Sequence, residues 1–266
     1  MSHELRVEPG EHAHLDERAT DEKFGLDKDS AEAALAAVVE KLRILHNRLW
    51  AEHERAVLLV LQGMDASGKD GTIKRVFTGL NPQGCRVVSY KPPVGVELDH
   101  DYLWRVHANV PRRGEIGIFN RSHYEDIVTT RVLGIIDDDE RDRRTHHVRE
   151  FERLLHDEGT TVVKVFMHIS KDEQRERLQK RLEDPEKRWK FNVDDLETRK
   201  RWDEYHERYD TAITETSTNW APWYVVPADH KWISGLKVAE LLLQALEHMD
   251  PKVPPPPDDL DGITID

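Results

Sequence analysis

Residues 61–71, which read LQGMDASGKDG, combine groups that bind phosphate with groups that repel it. The glycines let the backbone turn its N–H groups toward one anion, and Lys69 adds a full positive charge. Asp65 and Asp70 place two carboxylates in the same stretch. A carboxylate next to phosphates is useful when it binds a metal ion or handles a proton, so the stretch predicts metal-assisted phosphate chemistry.

The spacing Gly63-x-x-x-x-Gly68-Lys69 follows an apolar run and opens a helical pattern, which is the expected context of a phosphate-binding P-loop. The N-terminus of the helix would add a partial positive charge to the loop. An ordinary strand–turn–helix corner is the alternative. The sequence predicts phosphate or nucleotide contacts from Gly63, Ala66, Ser67, Gly68, Lys69, Asp70 and Gly71.

The residue after the lysine departs from the standard P-loop, in which a Ser or Thr hydroxyl binds Mg²⁺. Here that residue is Asp70, and Thr72 comes two positions later. Magnesium must therefore be held differently, and we predict Asp65 as its ligand because a carboxylate binds hard cations through oxygen. Asp65 is also placed to orient an attacking phosphate oxygen. Asp70 is predicted to cap the helix start, with a catalytic role as the alternative.

A second polar stretch, IFNRSHYEDI at residues 118–127, follows another apolar run. Ligands of open α/β sheets bind beyond the carboxyl ends of the strands, so Asn120, Arg121, Ser122 and Glu125 should face the same crevice as the loop. Arg121 is predicted to stabilise charge on a transferring phosphoryl group. The alternative is a surface helix start capped by Asn120 or Ser122.

A third stretch, QRERLQKRLEDPEKRWKF at residues 174–191, is rich in cations, and Pro185 interrupts its helical pattern. The stretch resembles the mobile lid of a nucleotide kinase, which closes over phosphates and excludes water, and we place this lid at about residues 174–193. A solvated helix face is the alternative for residues 174–181. The cations are Arg175, Arg177, Lys180, Arg181, Lys187, Arg188 and Lys190.

The elements that must position these residues follow from the apolar pattern. Five short runs predict strands: AVLLVLQ, CRVVSY, EIGIFN, TVVKVFMHI and WYVVP, beginning at residues 56, 85, 115, 161 and 223. Helical patterns lie at about 30–52, 69–78, 99–109, 138–158, 171–182, 194–214 and 232–248. Asp29 and Ser30 are predicted to cap the first of these, with Glu32 completing a capping box. The alternation predicts an α/β fold with a five-stranded parallel sheet and helices on both faces.

The domain organisation is predicted to be simple. Residues 1–29 are polar and indicate a tail or a loosely docked arm, residues 30–249 form one α/β domain, and residues 250–266 form a Pro/Asp-rich tail. The formal net charge of −13 argues against a nucleic-acid partner.

The sequence contains no run of 18 or more apolar residues, so no membrane span is predicted. The charged N-terminus does not resemble a signal peptide. The single cysteine, Cys85, cannot form an internal disulfide. We therefore expect a cytoplasmic protein without a membrane partner.

The three polar stretches together resemble the polyphosphate kinase 2 family over about residues 26–248. The loop fits the pattern G-x-D-x-x-G-K-x-G, and residues 119–124 fit an aromatic-[DN]-R-S-x-Y string. Residues 185–190 fit P-x-K-x-W-K, and the stretch APWYVVPADHKW is similar to the family as well. The combination of these motifs is far more specific than any one of them.

The resemblance implies a P-loop kinase-like three-layer sandwich with a helical lid. It also implies a reaction in which inorganic polyphosphate donates its terminal phosphoryl group to a nucleotide, in either direction, with Mg²⁺ or its substitute Mn²⁺. The nucleotides would be AMP, ADP and ATP. The acceptor is then itself a phosphate, so two polyanions meet and several cations are needed between them. Family members commonly form dimers or tetramers, so a homo-oligomer is expected.

Four catalytic residues are implied by the resemblance. Asp65 would hold the metal and position the acceptor phosphate, while Lys69 and Arg121 would spread the transferring charge. Arg181 lies closest to the family's catalytic lid arginine.

The resemblance also implies binding roles. Lys187 and Lys190 would grip the polyphosphate chain together with Arg181. Asn120 departs from the aspartate of many members, so no acid or metal role follows at that position. Glu125, in the string HYED, marks the subgroup that accepts both AMP and ADP.

Two other functions stay open on the sequence. One is an ATP-dependent nucleoside or nucleotide kinase of the same fold, against which Asp70 in place of Ser or Thr argues. The other is a non-catalytic module that binds nucleotide or polyphosphate, against which the presence of both Asp65 and Arg121 argues.

Overall fold

The computed structural model describes residues 2–257 and Ile265, without the side chains of Ser2, His3 and Lys190. Within these residues the strands are β1 Arg6–Val7, β2 Ala56–Gln62, β3 Cys85–Ser89, β4 Ile116–Asn120, β5 Thr160–His168 and β6 Trp223–Pro227. They form one sheet in the order β1-β6-β5-β2-β4-β3. Strands β2 to β6 pair in parallel, as the five apolar runs predict.

The sixth strand was not predicted, and it comes from the N-terminal arm. Arg6 and Val7 pair antiparallel with β6, which makes the sheet mixed. Leu5, Val7, Ala13 and Leu15 are buried, and the Leu15 N–H donates to the Asp210 carboxylate at 2.7 Å. Of the two predicted alternatives, a tail or a loosely docked arm, the structure shows a docked arm, because a few apolar residues spaced through a polar segment are enough to anchor it.

The described helices are α1 Ser2–Leu5, α2 Lys28–Glu52, α3 Lys69–Phe77, α4 Trp104–His107, α5 Val128–Val132, α6 Asp138–Asp157, α7 Lys171–Glu183, α8 Asp194–Lys200, α9 Trp202–Thr216 and α10 Lys231–Met249. Helices α2, α3 and α10 pack together, and so do α5, α6 and α9. Strand β2 is buried along its whole length, as a strand covered on both faces must be. These layers confirm the predicted three-layer sandwich.

The N-terminal cap of α2 differs from the prediction. Asp27 is the cap, since its carboxylate accepts from the Ser30 N–H at 2.8 Å while the Ser30 hydroxyl accepts from the Asp27 N–H at 3.1 Å. Asp29 and Ser30 lie inside the first turn, and Glu32 takes no part in the capping box. Two adjacent cap-forming residue types made the position of the cap ambiguous in the sequence.

Two predicted helices are shorter or broken. The pattern at 99–109 yields only α4 and a preceding 3₁₀ turn, Gly95–Asp99. The Asn109 amide donates to the Arg105 carbonyl at 2.7 Å and closes the end of α4. The pattern at 194–214 yields α8 and α9, separated at Arg201, whose guanidinium bonds the Val132 carbonyl and the Glu204 carboxylate.

The C-terminal end is irregular where it is described, at residues 251–257. Residues 258–264 and 266 of the predicted tail lie outside the described residues. No described helix combines the length and apolarity that a membrane crossing requires. The division of the chain into arm, domain and tail stays a prediction.

Candidate active site at the carboxyl edge of the sheet

Two polar segments meet where neighbouring strands end. Strands β2 and β4 lie side by side with Leu61 opposite Asn120, and the Arg121 N–H donates to the Leu61 carbonyl at 3.0 Å. Residues 63–68, called the P-loop here, follow β2, and residues 120–126, called the motif segment, follow β4. The structure therefore brings the two segments together at one edge of the sheet, as predicted.

Two glycines shape the P-loop. Gly63 has φ +147°, and a Cβ there would stand 2.6 Å from the Met167 carbonyl oxygen. Gly68 has φ +105° and occupies the cap position of α3 without a side-chain bond. Both positions favour glycine, the first because backbone approaches closely and the second because of its dihedral angle. Ala66 also adopts a left-handed conformation at φ +63°, a kind of strain that clusters at ligand sites.

Lys69 is folded back onto the P-loop. Its ammonium donates to the Gly63 carbonyl at 2.7 Å and to the Met64 carbonyl and the Ser67 hydroxyl, both at 3.3 Å. Burial lowers the pKa of Lys69 to about 8, with the Arg121 charge acting in the same direction. An anion in the loop would favour the charged form and raise that pKa again.

Arg121 connects the two segments. Its guanidinium donates to the Asp65 carboxylate at 2.5 Å and lies 3.6 Å from the Glu125 carboxylate. The Glu125 charge raises the pKa of Arg121 above its ordinary value, so the side chain is always charged. The Thr129 hydroxyl donates to Glu125 at 2.9 Å and fixes that carboxylate. Cation and carboxylates thus alternate across the crevice.

Asp70 does not cap α3, contrary to the prediction. It lies in the first turn of that helix, and its carboxylate accepts from the Asn120 amide at 2.7 Å. The Asn120 side chain is therefore a partner of the P-loop helix. Gly71 follows in the same turn. The Asp70 side chain lies two positions after the cap residue Gly68 and contacts Asn120 at the end of strand β4.

The first half of the predicted lid is a support for the P-loop. The Gln174 amide donates to the Asp65 carbonyl at 3.0 Å. Buried Arg177 donates to the carbonyls of Ala66 (3.0 Å), Ser67 (2.9 Å) and Ala228 (2.6 Å). Helix α7 is thus hydrogen-bonded to the backbone of the P-loop, so it is not a merely solvated face, and the lid at about residues 174–193 stays a prediction.

The second half of the lid is different. Helix α7 ends at Glu183, as the following Pro185 predicts, and a 3₁₀ turn, Arg188–Lys190, follows. Lys187 is exposed and pairs locally with Asp184. The Lys190 side chain lies outside the described residues. Arg181 stands between the halves, with its guanidinium 3.4 Å from the Asp195 carboxylate.

Sequence reasoning missed Asp195 and two tyrosines of α9. Burial raises the pKa of Asp195 to about 6, and the nearby Asp65 charge adds to that shift. Burial likewise raises the pKa of Tyr205 and of Tyr209, and the Glu125 charge adds to both. Together with Trp202 and Ile213, the tyrosines form a buried face of α9. Asp195 resembles any acid in a first helical turn, so no sequence signal distinguished it.

The donor set suits a hard divalent cation, the kind of ion that phosphoryl transfer uses. Asp65 and Asp195 are close enough for their charges to interact, and both offer oxygen ligands. Among the described residues, a group of three possible ligands within 4.8 Å occurs only at His14, Asp16 and Glu17, on the exposed arm. The crevice therefore fits an ion that takes one or two carboxylates and completes its shell with phosphate and water.

Comparison with known proteins decides the family. Residues 25–254 match the family described as "Polyphosphate kinase 2 (PPK2)". The chain belongs to the polyphosphate kinase 2 family. This confirms the resemblance inferred from the three motifs.

Similar polyphosphate kinase 2 proteins cover nearly the whole chain. A relative named AMP/ADP-polyphosphate phosphotransferase, from Meiothermus ruber, is 52% identical over 90% of each chain. A relative named ADP-polyphosphate phosphotransferase, from Rhodopseudomonas palustris, is 41% identical over 94% of this chain and 91% of its own. The crystal structure of Polyphosphate Kinase 2 from Arthrobacter aurescens TC1 superposes with a TM-score of 0.92 at 40% identity, covering 96% of this chain and 92% of its own.

Proposed function

We propose that this chain transfers the terminal phosphoryl group of inorganic polyphosphate to AMP and to ADP, reversibly and with Mg²⁺. The observation that carries the proposal is the position of Arg121, a permanent cation between the Asp65 carboxylate of the P-loop and the Glu125 carboxylate of the motif segment. Metal-binding oxygens and a phosphate-binding cation then face the same crevice. The dual acceptor is supported by the 52% identity to a relative named for both nucleotides.

The reaction joins two polyanions. A phosphate oxygen of the nucleotide attacks the terminal phosphorus of polyphosphate, and the bridging P–O bond breaks, leaving the donor one phosphate shorter. Charge develops on oxygens that are already anionic, so positioning and electrostatic stabilisation supply most of the catalysis.

Each residue has a proposed part in that step. Lys69 leaves the loop carbonyls and binds donor phosphate through the same N–H groups. Arg121 neutralises the phosphoryl group in transit. Asp65 orients the acceptor phosphate, and it would also hold Mg²⁺ or Mn²⁺, which would supply positive charge between the two polyanions. Arg181 closes over the donor, and Lys187 and Lys190 contact its distal phosphates.

The remaining positions have supporting parts in the proposal. Backbone N–H groups of Ala66, Ser67, Gly68 and Gly71 donate to phosphate oxygens at the start of α3. Gly63 lets the loop pass close to β5. Asp70 and Asn120 join the P-loop helix to the motif segment through their hydrogen bond. Glu125 sets the acceptor site by holding Arg121 from its far side.

The assay supplies one donor and one acceptor at a time. Purified protein receives AMP or ADP with Mg²⁺ and either long-chain polyphosphate or ATP, and nucleotide products are separated. We expect ADP from AMP and ATP from ADP with polyphosphate alone, and no such products from an Asp65→Asn preparation made in parallel, which excludes a contaminating kinase. Activity with ATP alone would establish an ATP-dependent kinase, and binding without turnover would establish a binding module.

The proposal places the enzyme in the cytoplasm as a homo-oligomer, a dimer or a tetramer, without nucleic-acid or membrane partners. The support is the family membership together with the single cysteine and the acidic net charge. Light scattering on the purified chain measures the assembly directly, and a monomer at assay concentration would remove that part of the proposal.

A further inference from the structure

A fully buried polar network lies in the core against the motif segment. The Lys164 ammonium of β5 donates to the Glu152 carboxylate of α6 at 2.5 Å, to the Tyr124 hydroxyl at 2.8 Å and to the Thr216 carbonyl at 2.8 Å. The Tyr124 hydroxyl donates to the other Glu152 oxygen at 2.8 Å, and His123 Nε2 lies 3.2 Å from that oxygen. Lys164, Glu152 and His123 each have 0% of their surface exposed.

The network is complete around its two charges. All three protons of Lys164 have acceptors, and both oxygens of Glu152 have donors. A carboxylate only accepts, so Nε2 is the nitrogen of His123 that carries the proton in this contact. A buried ion pair is weak evidence for stability, because well-packed apolar side chains of the same volume often serve as well or better. Stability alone therefore gives little reason for an ammonium and a carboxylate at these positions.

Two members of the network follow Arg121 by two and three residues, and Arg121 is the strained residue of the motif segment. Its φ is +59°, in the left-handed region that side chains other than glycine avoid. Such a conformation persists only where the surroundings over-determine it. Upstream, β4 is fixed by its pairing with β2. Directly after Arg121, the buried Ser122 hydroxyl accepts from the Tyr124 N–H at 3.2 Å and from the Gln62 amide at 3.3 Å.

We propose that Lys164 and Glu152 are positioning residues for phosphoryl transfer. They hold Tyr124 and His123 in the core and so keep Arg121 in its left-handed conformation, with its guanidinium between Asp65 and Glu125. Without the pair, the backbone relaxes toward an ordinary conformation and the guanidinium leaves the bridging position. This inference rests on the proposed role of Arg121 in the reaction.

The test separates positioning from stability. The double variant Lys164→Met/Glu152→Leu replaces the ion pair by apolar side chains of similar size. Its melting temperature, kcat, and KM for AMP and for polyphosphate are compared with those of the wild type and of Val163→Ala. The last variant truncates a buried neighbour of Lys164 on β5 and serves as a packing control.

We expect the double variant to melt at or above the temperature of Val163→Ala and to lose kcat about 10- to 100-fold, because a displacement near 1 Å at a reacting group has an effect of that size. Both KM values should stay within about threefold, since the residues touch no substrate. Adding Tyr124→Phe to the double variant should change kcat less than the same substitution does in the wild type. A stable double variant with kcat within twofold of wild type would overturn the inference.

Two further arms complete the test. If the double variant does not fold, Tyr124→Phe alone decides, because it removes one oxygen atom from the network: a fall in kcat at unchanged KM supports positioning, and unchanged kcat overturns it. Arg121→Ala tests the proposed function separately. If Arg121→Ala keeps wild-type kcat, the role given to Arg121 has failed, whereas a dead Arg121→Ala with a fully active double variant means that only the network inference has failed.

Discussion

Helix α7 and the segment after it, residues 184–193, carry similar charge, but their cations differ in burial and in the groups that they contact. On α7, the Arg177 side chain is 5% exposed and donates hydrogen bonds to backbone carbonyls of the P-loop and of residues 228 and 229. In the following segment, the Lys187 side chain is 63% exposed and has a local carboxylate as its partner. A single cationic stretch thus contains a buried part that holds the P-loop and an exposed part, which is the part proposed to contact phosphate.

The difference shows what buried and exposed cations can each do. A guanidinium has five donors in a fixed fork, so Arg177 can bind several carbonyls at once and hold the P-loop in one conformation. An exposed ammonium keeps its mobility and can follow a flexible polyanion, at the price of strong screening by salt. Helix α7 is thus the fixed half of this cationic stretch, and residues 184–193 are its exposed half.

The largest loss of activity is expected at Asp65, the P-loop residue whose backbone carbonyl accepts a hydrogen bond from Gln174 of α7. Asp65→Asn keeps the shape of the side chain and removes the charge that pairs with Arg121 and is proposed to bind the metal. We expect kcat to fall by about 100-fold or more with an unchanged melting temperature. Asp172→Asn, an exposed carboxylate in the first turn of α7, is the control. Near-normal turnover of Asp65→Asn at saturating Mg²⁺ would assign the metal to another carboxylate.

Arg177→Met tests whether α7 is a scaffold. The substitution leaves buried carbonyls of the P-loop unpaired, which should destabilise the fold by about 2–4 kcal/mol and lower the melting temperature by about 5–15 °C. At a temperature where the variant is folded, kcat should still fall by about 10- to 100-fold, because the loop is no longer held.

The control for that variant is Lys180→Ala on the same helix, whose side chain is 68% exposed. It should leave both melting temperature and kcat near wild type. If Arg177→Met melts like the wild type and loses only affinity for polyphosphate, Arg177 belongs to the lid after all, and the contrast between the two halves disappears.

The same contrast shows how far sequence reasoning reaches. The P-loop was predicted from the spacing of its glycines and lysine, and the motif segment from polar residues that follow an apolar run. Their meeting was predicted because parallel strands end at one edge of a sheet. The five parallel strands were predicted from short apolar runs that alternate with helical patterns. In contrast, nothing in the residue type distinguishes Arg177 from Arg181, since burial depends on which face of α7 packs against the loop.

The other misses have similar causes. The edge strand β1 is two residues long and carries no alternating pattern, so only its pairing with β6 reveals it. Asp195 interacts with the Asp65 charge although the two residues are far apart in the sequence, so no local pattern could pair them. Contacts made by tertiary packing are the ones that local patterns cannot supply.

Arg181 stands where the two halves join, so its removal should have an intermediate effect. Its partly exposed guanidinium is held by Asp195 at 3.4 Å, a contact that incoming phosphate can replace. We expect Arg181→Ala to lower kcat about tenfold while the melting temperature stays within about 2 °C of wild type. Arg175→Ala, an exposed arginine on the same helix, should have neither effect. A change in KM for polyphosphate at constant kcat would show that Arg181 only binds the chain.

The smallest effect belongs to Lys187, because one exposed cation contributes little to binding a polymer in a partly wet cleft. Lys187→Ala should raise the KM for long-chain polyphosphate about two- to fivefold and leave the KM for AMP and the kcat unchanged. The rise should vanish with donors too short to reach residue 187, since a contact far from the reacting phosphorus exists only for long chains. Raising the ionic strength should reproduce most of this rise in KM in the wild type and should cause little further rise in the variant.

The control is Lys180→Ala, which has the same charge change and similar exposure on the fixed half. Equal KM values for these two variants, at every chain length and salt concentration, would mean that the exposed segment does not contact the donor.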